Sequence, residues 1–99
     1  METIAFKIKS SAVLDTLHVA PAATPTQGQF VPLVPDEGGV VGQIDLEPGA
    51  YTYLAVLRGG QPGSPWGMSI QREHNPSVPR AGNLDRNGDG GDVGILTVS

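Results

Sequence analysis

Along this chain apolar and polar residues trade places with a period of two. Ile4, Phe6 and Ile8 fall on one side of an extended segment and Thr3, Lys7 and Lys9 on the other, the pattern of a half-buried strand. The period returns at Val40, Gly42, Ile44 and Leu46, set against Val41, Gln43, Asp45 and Glu47, and again at Trp66, Met68 and Ile70. It closes the sequence, where Val93, Ile95 and Thr97 alternate with Leu96 and Val98. Residues 50–57 are apolar on both faces, which predicts a central strand. Residues 12–20 fit a strand through Val13, Leu17 and Val19. Helical spacing also fits there, but Pro21 follows too closely for more than a short helix.

Glycine and proline punctuate these runs. Phe30–Val34 carries Pro32, which has no amide to give a ladder, so this short strand is expected at an edge. Pro35-Asp36-Glu37-Gly38-Gly39 and Glu47-Pro48-Gly49 are turns, and the second is expected to join residues 40–47 and 50–57 as a hairpin. Residues 75–92 hold no apolar run and read as one 18-residue connection of the kind that often carries function. About seven short strands with turns every eight to twelve residues predict an all-β, single-domain antiparallel β-sandwich with immunoglobulin-like or jelly-roll-like connections. A small barrel is the alternative.

Composition narrows the function. Gly (14) and Pro (9) are abundant, and charged residues make up 16% of the 99 positions. The six basic residues are scattered through a chain of net charge −4, so there is no stripe to neutralise phosphates; neither nucleic acid nor membrane insertion is expected. Without cysteine there can be no disulfide, zinc thiolate or thiol nucleophile. Met1-Glu2-Thr3-Ile4 lacks the basic head and apolar core of a signal peptide, and no apolar run spans a membrane, so the expectation is cytoplasmic unless a leader has been removed.

One stretch concentrates chemistry: Asp85-Arg86-Asn87-Gly88-Asp89-Gly90-Gly91-Asp92. Calcium takes six to eight hard oxygen ligands on backbone that bends sharply around it. Asp85, Asn87 and Asp89 stand at positions 1, 3 and 5 of such a loop, Gly90 stands at position 6, and Asp92 follows. Over these six residues the D-x-N-x-D-G pattern resembles the calcium loops of helix–loop–helix calcium hands, dockerin-type repeats and thrombospondin-type repeats. The departures are specific. Position 12 is Leu96, so the closing carboxylate is missing; position 9 is Val93, and no helix flanks the loop. Any site must therefore be completed from elsewhere, with Asp36, Glu37, Asp45, Glu47 and Glu73 as the acidic candidates. The alternative is a plain reversal of the chain, because Asn-Gly and Asp-Gly are strong turn formers.

Trp66 follows a Gly/Pro/Ser loop and is either a core anchor or, with Asn83 and Arg86, part of a surface that stacks and hydrogen-bonds a sugar. His18 and His74 have no nucleophile elbow to serve. The expectation is a non-enzymatic binding module with calcium at residues 85–92 and a carbohydrate (lectin-like) or protein ligand. Its working surface would be the loops at residues 59–65 and 75–92. The alternatives are a metal-free protein-interaction or self-assembling protein, possible as a homo-oligomer, and a small inhibitor presenting loop 59–65; a hydrolase ranks last.

Overall fold

A computed structural model describes residues 1–98, apart from the side chains of Leu14, Asp15, Pro25 and Asp36; those two aspartates therefore lie outside the described side chains. The described residues form nine strands: β1 (Glu2–Lys9), β2 (Val13–Pro21), β3 (Gln29–Phe30), β4 (Leu33–Asp36), β5 (Gly39–Leu46), β6 (Gly49–Arg58), β7 (Pro65–Arg72), β8 (Val78–Asn83) and β9 (Gly90–Val98). A short 3-10 turn covers Pro25–Gln27. The strands build two antiparallel sheets, β4-β5-β1-β7-β8 and β3-β2-β6-β9, packed as a β-sandwich. No described helix is long and apolar enough to cross a membrane.

Each alternating run buries its apolar side between the sheets. Ile4, Phe6 and Ile8 of β1 face Leu17, Val19, Tyr53, Ala55 and Leu57 of the other layer, and Trp66, Met68, Ile70, Leu96 and Val98 complete the core. The Phe6 and Tyr53 rings meet across the layers at 5.7 Å. Burying each such aliphatic or aromatic side chain contributes about 1.5–3 kcal/mol.

Three expectations are corrected. Residues 40–47 and 50–57 are not a hairpin. β5 pairs with β1 and β4, β6 pairs with β2 and β9, and the Glu47-Pro48 link carries the chain from one sheet to the other. Alternation determines which face of a strand is buried; it does not determine which strand lies at its edge. Phe30–Val34 is not one strand, because Val31-Pro32 divides it. Val31 turns into the core, its amide donating to the Leu17 carbonyl at 2.8 Å, so that β3 and β4 become edges of different sheets. Residues 75–92 are not one structureless connection, since β8 pairs along β7 from Pro65↔Asn83 to Ile70↔Val78. β8 carries little apolar surface of its own, and Pro79 suits an edge.

Two ion-paired clusters close the sandwich at its margins. Arg72 grips Glu2 in a two-pronged pair (2.8 and 2.9 Å) and also donates to the Thr97 carbonyl of the opposite sheet at 2.7 Å. The Arg72 guanidinium holds the Glu2 carboxyl down at about 2, against its ordinary value of 4.5. Arg80 reaches from β8 to Asp92 of β9, again with two bonds of 2.8 Å.

Candidate functional site

The aspartate loop meets the loop between β6 and β7, and the two are laced together by backbone. Gly60 N donates to Gly88 O (2.9 Å), Gly63 N to Leu84 O (3.1 Å), and Leu84 N to Ser64 O (2.8 Å). Asn83 joins this lacing, its Nδ2 donating to Gly63 O at 3.1 Å. Sequence spacing had left open which loop would complete a cation site. The loop that arrives brings amides and no carboxylate. Gly59 N donates to Asp89 Oδ1 at 3.2 Å, and Asp85 Oδ1 accepts from Asn87 N (2.8 Å) and Asp89 N (3.0 Å). This is the geometry of an aspartate organising its own turn. Gly88 has φ of +78°, which lets the chain reverse against Gly60.

Asp92 stands apart from that turn. It lies in β9, its carboxylate clamped by Arg80 and accepting from Tyr53 Oη at 2.7 Å. The Arg80 hydrogen bonds hold the Asp92 carboxyl below its usual range, against the opposing effect of burial. Asp45 and Glu73 serve the other end of β1, accepting from Thr3 Oγ1 (2.6 Å) and Thr3 N (2.8 Å) respectively. Among the described residues, no three of His, Cys, Asp and Glu gather where they could hold a metal ion.

Tyr53 reports on this arrangement. Burial, and then the Asp92 carboxylate, push its hydroxyl from 10.0 up to about 12. The neutral phenol is favoured in the fold, so its contribution is full below pH ~10 and disappears as pH rises towards 12. In a Tyr51→Phe chain, the phenolate absorbance of the remaining tyrosine is expected to rise near pH 12 when folded and near pH ~10 in urea. A folded midpoint near 10 would mean that Tyr53 is not engaged with Asp92.

Of the two readings of Trp66, the structure shows the core anchor. Only 8% of it is exposed, and it belongs to the core cluster with Leu84. Gly82 makes room for its ring: a Cβ there would stand 2.8 Å from the indole. Arg86 is exposed on the aspartate turn.

Four of the exposed large apolar residues, Phe30, Leu54, Val93 and Ile95, lie together on the outer face of the four-stranded sheet, while Val34 and Val78 are exposed on the edge strands of the other sheet. Cross-strand register puts Phe30, His18, Leu54 and Val93 in one row across all four strands. Ala20, Thr52 and Ile95 form the row on one side of it, where Ala20 is covered by the Gly28 segment, and Thr16, Val56 and Gly91 form the row on the other. None of these ten residues is Asp, Glu, Lys or Arg. Phe30 is 73% exposed, Leu54 44%, Val93 66% and Ile95 73%. His18 lies edge-on against Phe30, ring centres 5.1 Å apart. The signal for this face was present in the sequence as two-sided apolar strands at 50–57 and 93–98; what it lacked was the register that aligns them.

The edges of the sheets differ in the same region. β3 has two residues, while β4 and β8 carry Pro35 and Pro79. β9 is nine residues long, without proline, and Asp92, its one charged residue, is tied inward. Short strands, prolines and charges are how sheet edges avoid unwanted pairing, and β9 uses none of them on its outer side. A recess of about 240 Å³ at one end of the sandwich, between Ser10–Val13 and Gly38–Val40, has Ser10 as the one polar side chain among its described lining residues. Compared with protein-family models, curated proteins and solved structures, the chain matches none.

Proposed function

We propose that this protein is a metal-free protein-interaction module that docks through the outer face of its four-stranded sheet. The observation that carries this reading is the uncharged row Phe30–His18–Leu54–Val93 with Ile95 beside it. Water-exposed apolar side chains scattered singly are ordinary; a contiguous group free of charge, spanning every strand of a sheet, marks an interaction surface. The open edge of β9 borders the same patch and offers backbone groups to a partner. In the metal-free half of the reading, the aspartate turn is a structural joint whose Asp85 and Asp89 oxygens accept backbone amides.

The test is selection of displayed random peptides on the native protein, with and without calcium. Peptides that bind native protein in chelator, and fail to bind Leu54→Lys, are the expected result. Binders indifferent to Leu54→Lys, or binders obtained in calcium alone, would overturn the proposal.

A further inference from the structure

We propose that the open edge of β9 pairs with the same edge of a second copy of the chain, antiparallel, with Ile95 of each copy meeting at a two-fold axis. The inference rests on the edge named in the reading above and not on the outer face. What carries it is which backbone groups of that edge the fold already engages and which it leaves.

Alternation along the strands sets the pattern. The Leu17 carbonyl of β2 accepts the Val31 amide, away from β6, and the Ala50 carbonyl of β6 accepts the Ala22 amide on the β2 side. Ala50 lies opposite Thr97. β9 therefore bonds to β6 through Gly94 and Leu96, opposite Tyr53 and Tyr51, while Val93, Ile95 and Thr97 turn N–H and C=O to the open edge. Two of these six groups are engaged. Arg72 donates to Thr97 O at 2.7 Å, and the Val93 amide is one of the groups that stabilise the Asp92 carboxylate. Val93 O, Ile95 N, Ile95 O and Thr97 N have no partner among the described residues.

That remainder is complementary to itself, as a two-fold contact requires. In an antiparallel ladder centred on Ile95, residue 95 faces residue 95 and residue 97 faces residue 93. Ile95 N then donates to Ile95 O of the second copy and Thr97 N to its Val93 O, each bond made twice by symmetry. Every free group is used. The two groups that face each other without bonding are Val93 N and Thr97 O, which the fold has already satisfied, so no donor or acceptor is stranded in the seam. Moving the axis one or two residues either way sets a free group against an engaged one.

Charge and side chains agree with this register. Because residue 97 faces residue 93, the Arg72 guanidinium at Thr97 of one copy comes beside the Asp92 carboxylate of the other, at both ends of the seam. On the outer face Ile95, 73% exposed, meets its own copy, and Val93, 66% exposed, meets Thr97 as cross-strand neighbours. The two four-stranded sheets become one continuous sheet of eight.

Sedimentation equilibrium of the native chain, Leu54→Lys and Ile95→Pro tests the edge. The native chain and Leu54→Lys are expected to sediment as dimers of the 10.3 kDa chain. Ile95→Pro is expected to be a monomer with native circular dichroism, because proline removes an amide that the fold itself does not use. Oxidative cross-linking tests the register without a proline. The chain has no cysteine, so Ile95→Cys carries a single thiol at the axis, where facing Cα atoms about 5.5 Å apart suit a disulfide. In Val93→Cys the two Cα atoms lie roughly 14 Å apart. Ile95→Cys is expected to link about 10-fold faster or more. Equal rates, or faster linking through position 93, would overturn the register. A dimer lost in Leu54→Lys and kept in Ile95→Pro would overturn edge pairing in favour of the face. A native chain that stays monomeric would overturn the second copy as partner. Peptides sensitive to Leu54→Lys would in each case leave the docking reading standing, since that variant leaves the β9 backbone unchanged.

Discussion

Trp66→Ala is expected to lower the free energy of unfolding by about 3–5 kcal/mol, measured by urea denaturation followed by circular dichroism. The indole is 8% exposed and packs in the core beside Leu84, under the glycine at 82 that leaves space for it. Removing it deletes the largest side chain of β7 and leaves a void that neighbouring backbone cannot fill, because that backbone belongs to paired strands. Against a typical total of about 5–15 kcal/mol, the variant would be partly unfolded at physiological temperature. The result separates two roles for one residue. A surface platform for a sugar would change stability by about half a kcal/mol at most when truncated, as surface positions do. A change that small would return Trp66 to the list of ligand contacts.

Gly88→Ala should cost about 3 kcal/mol, and Gly63→Ala about 1 kcal/mol, although the two glycines have nearly the same backbone conformation, φ +78° and +76°. The difference lies in what surrounds them. A Cβ at position 63 enters open space, so the variant bears only the left-handed backbone cost. A Cβ at position 88 runs into the Gly60 carbonyl and lies 2.8 Å from its carbon, and the backbone must move apart to admit it. That movement also loosens the Gly60 N to Gly88 O hydrogen bond, which joins the two loops at 2.9 Å. Equal losses at the two positions would show that the loops are not held together as described. The pair of variants also tests whether the aspartate stretch is first of all a structural joint: a joint loses stability in calcium and in chelator alike.

Much of the fold was legible because a period of two is a direct consequence of the pleat. β1, β7 and the inward set Leu96 and Val98 follow from it without further information. What it leaves undetermined is adjacency. Glu47-Pro48-Gly49 has the chemistry of a reversal in either case, and whether the reversal joins two strands of one sheet or crosses to the facing sheet depends on which neighbours the other strands leave free. β8 was missed for a related reason: Val78-Pro79-Arg80-Ala81-Gly82-Asn83 has almost no apolar pattern, because the space behind Gly82 is filled by Trp66 from its neighbour.

The candidate site was legible only as spacing. D-x-N-x-D-G reports where oxygens occur along the chain and not what their lone pairs accept. One clue was available. In β9 the even positions Leu96 and Val98 point inward, which places Asp92 on the same inward side, where a carboxylate needs a cation of the protein's own. Arg80 supplies it. The outer face was hidden for the opposite reason, since its residues run from Thr16 to Ile95 in sequence and become neighbours only through register.

The central place of β1 in its sheet bears on how the chain is made. Its hydrogen-bonding partners are β5 and β7, which end at Leu46 and Arg72. At about 5–20 residues per second, β1 leaves the ribosome roughly 3–13 seconds before the second of them is available. Until β5 is made Ile4, Phe6 and Ile8 have no partner strand, and until β7 follows one edge of β1 stays unpaired, so the nascent chain carries an apolar strand incompletely covered. Chaperone demand should therefore fall on the newborn N-terminal strand, and a circular permutant that synthesises β1 after β7 should need less help to fold.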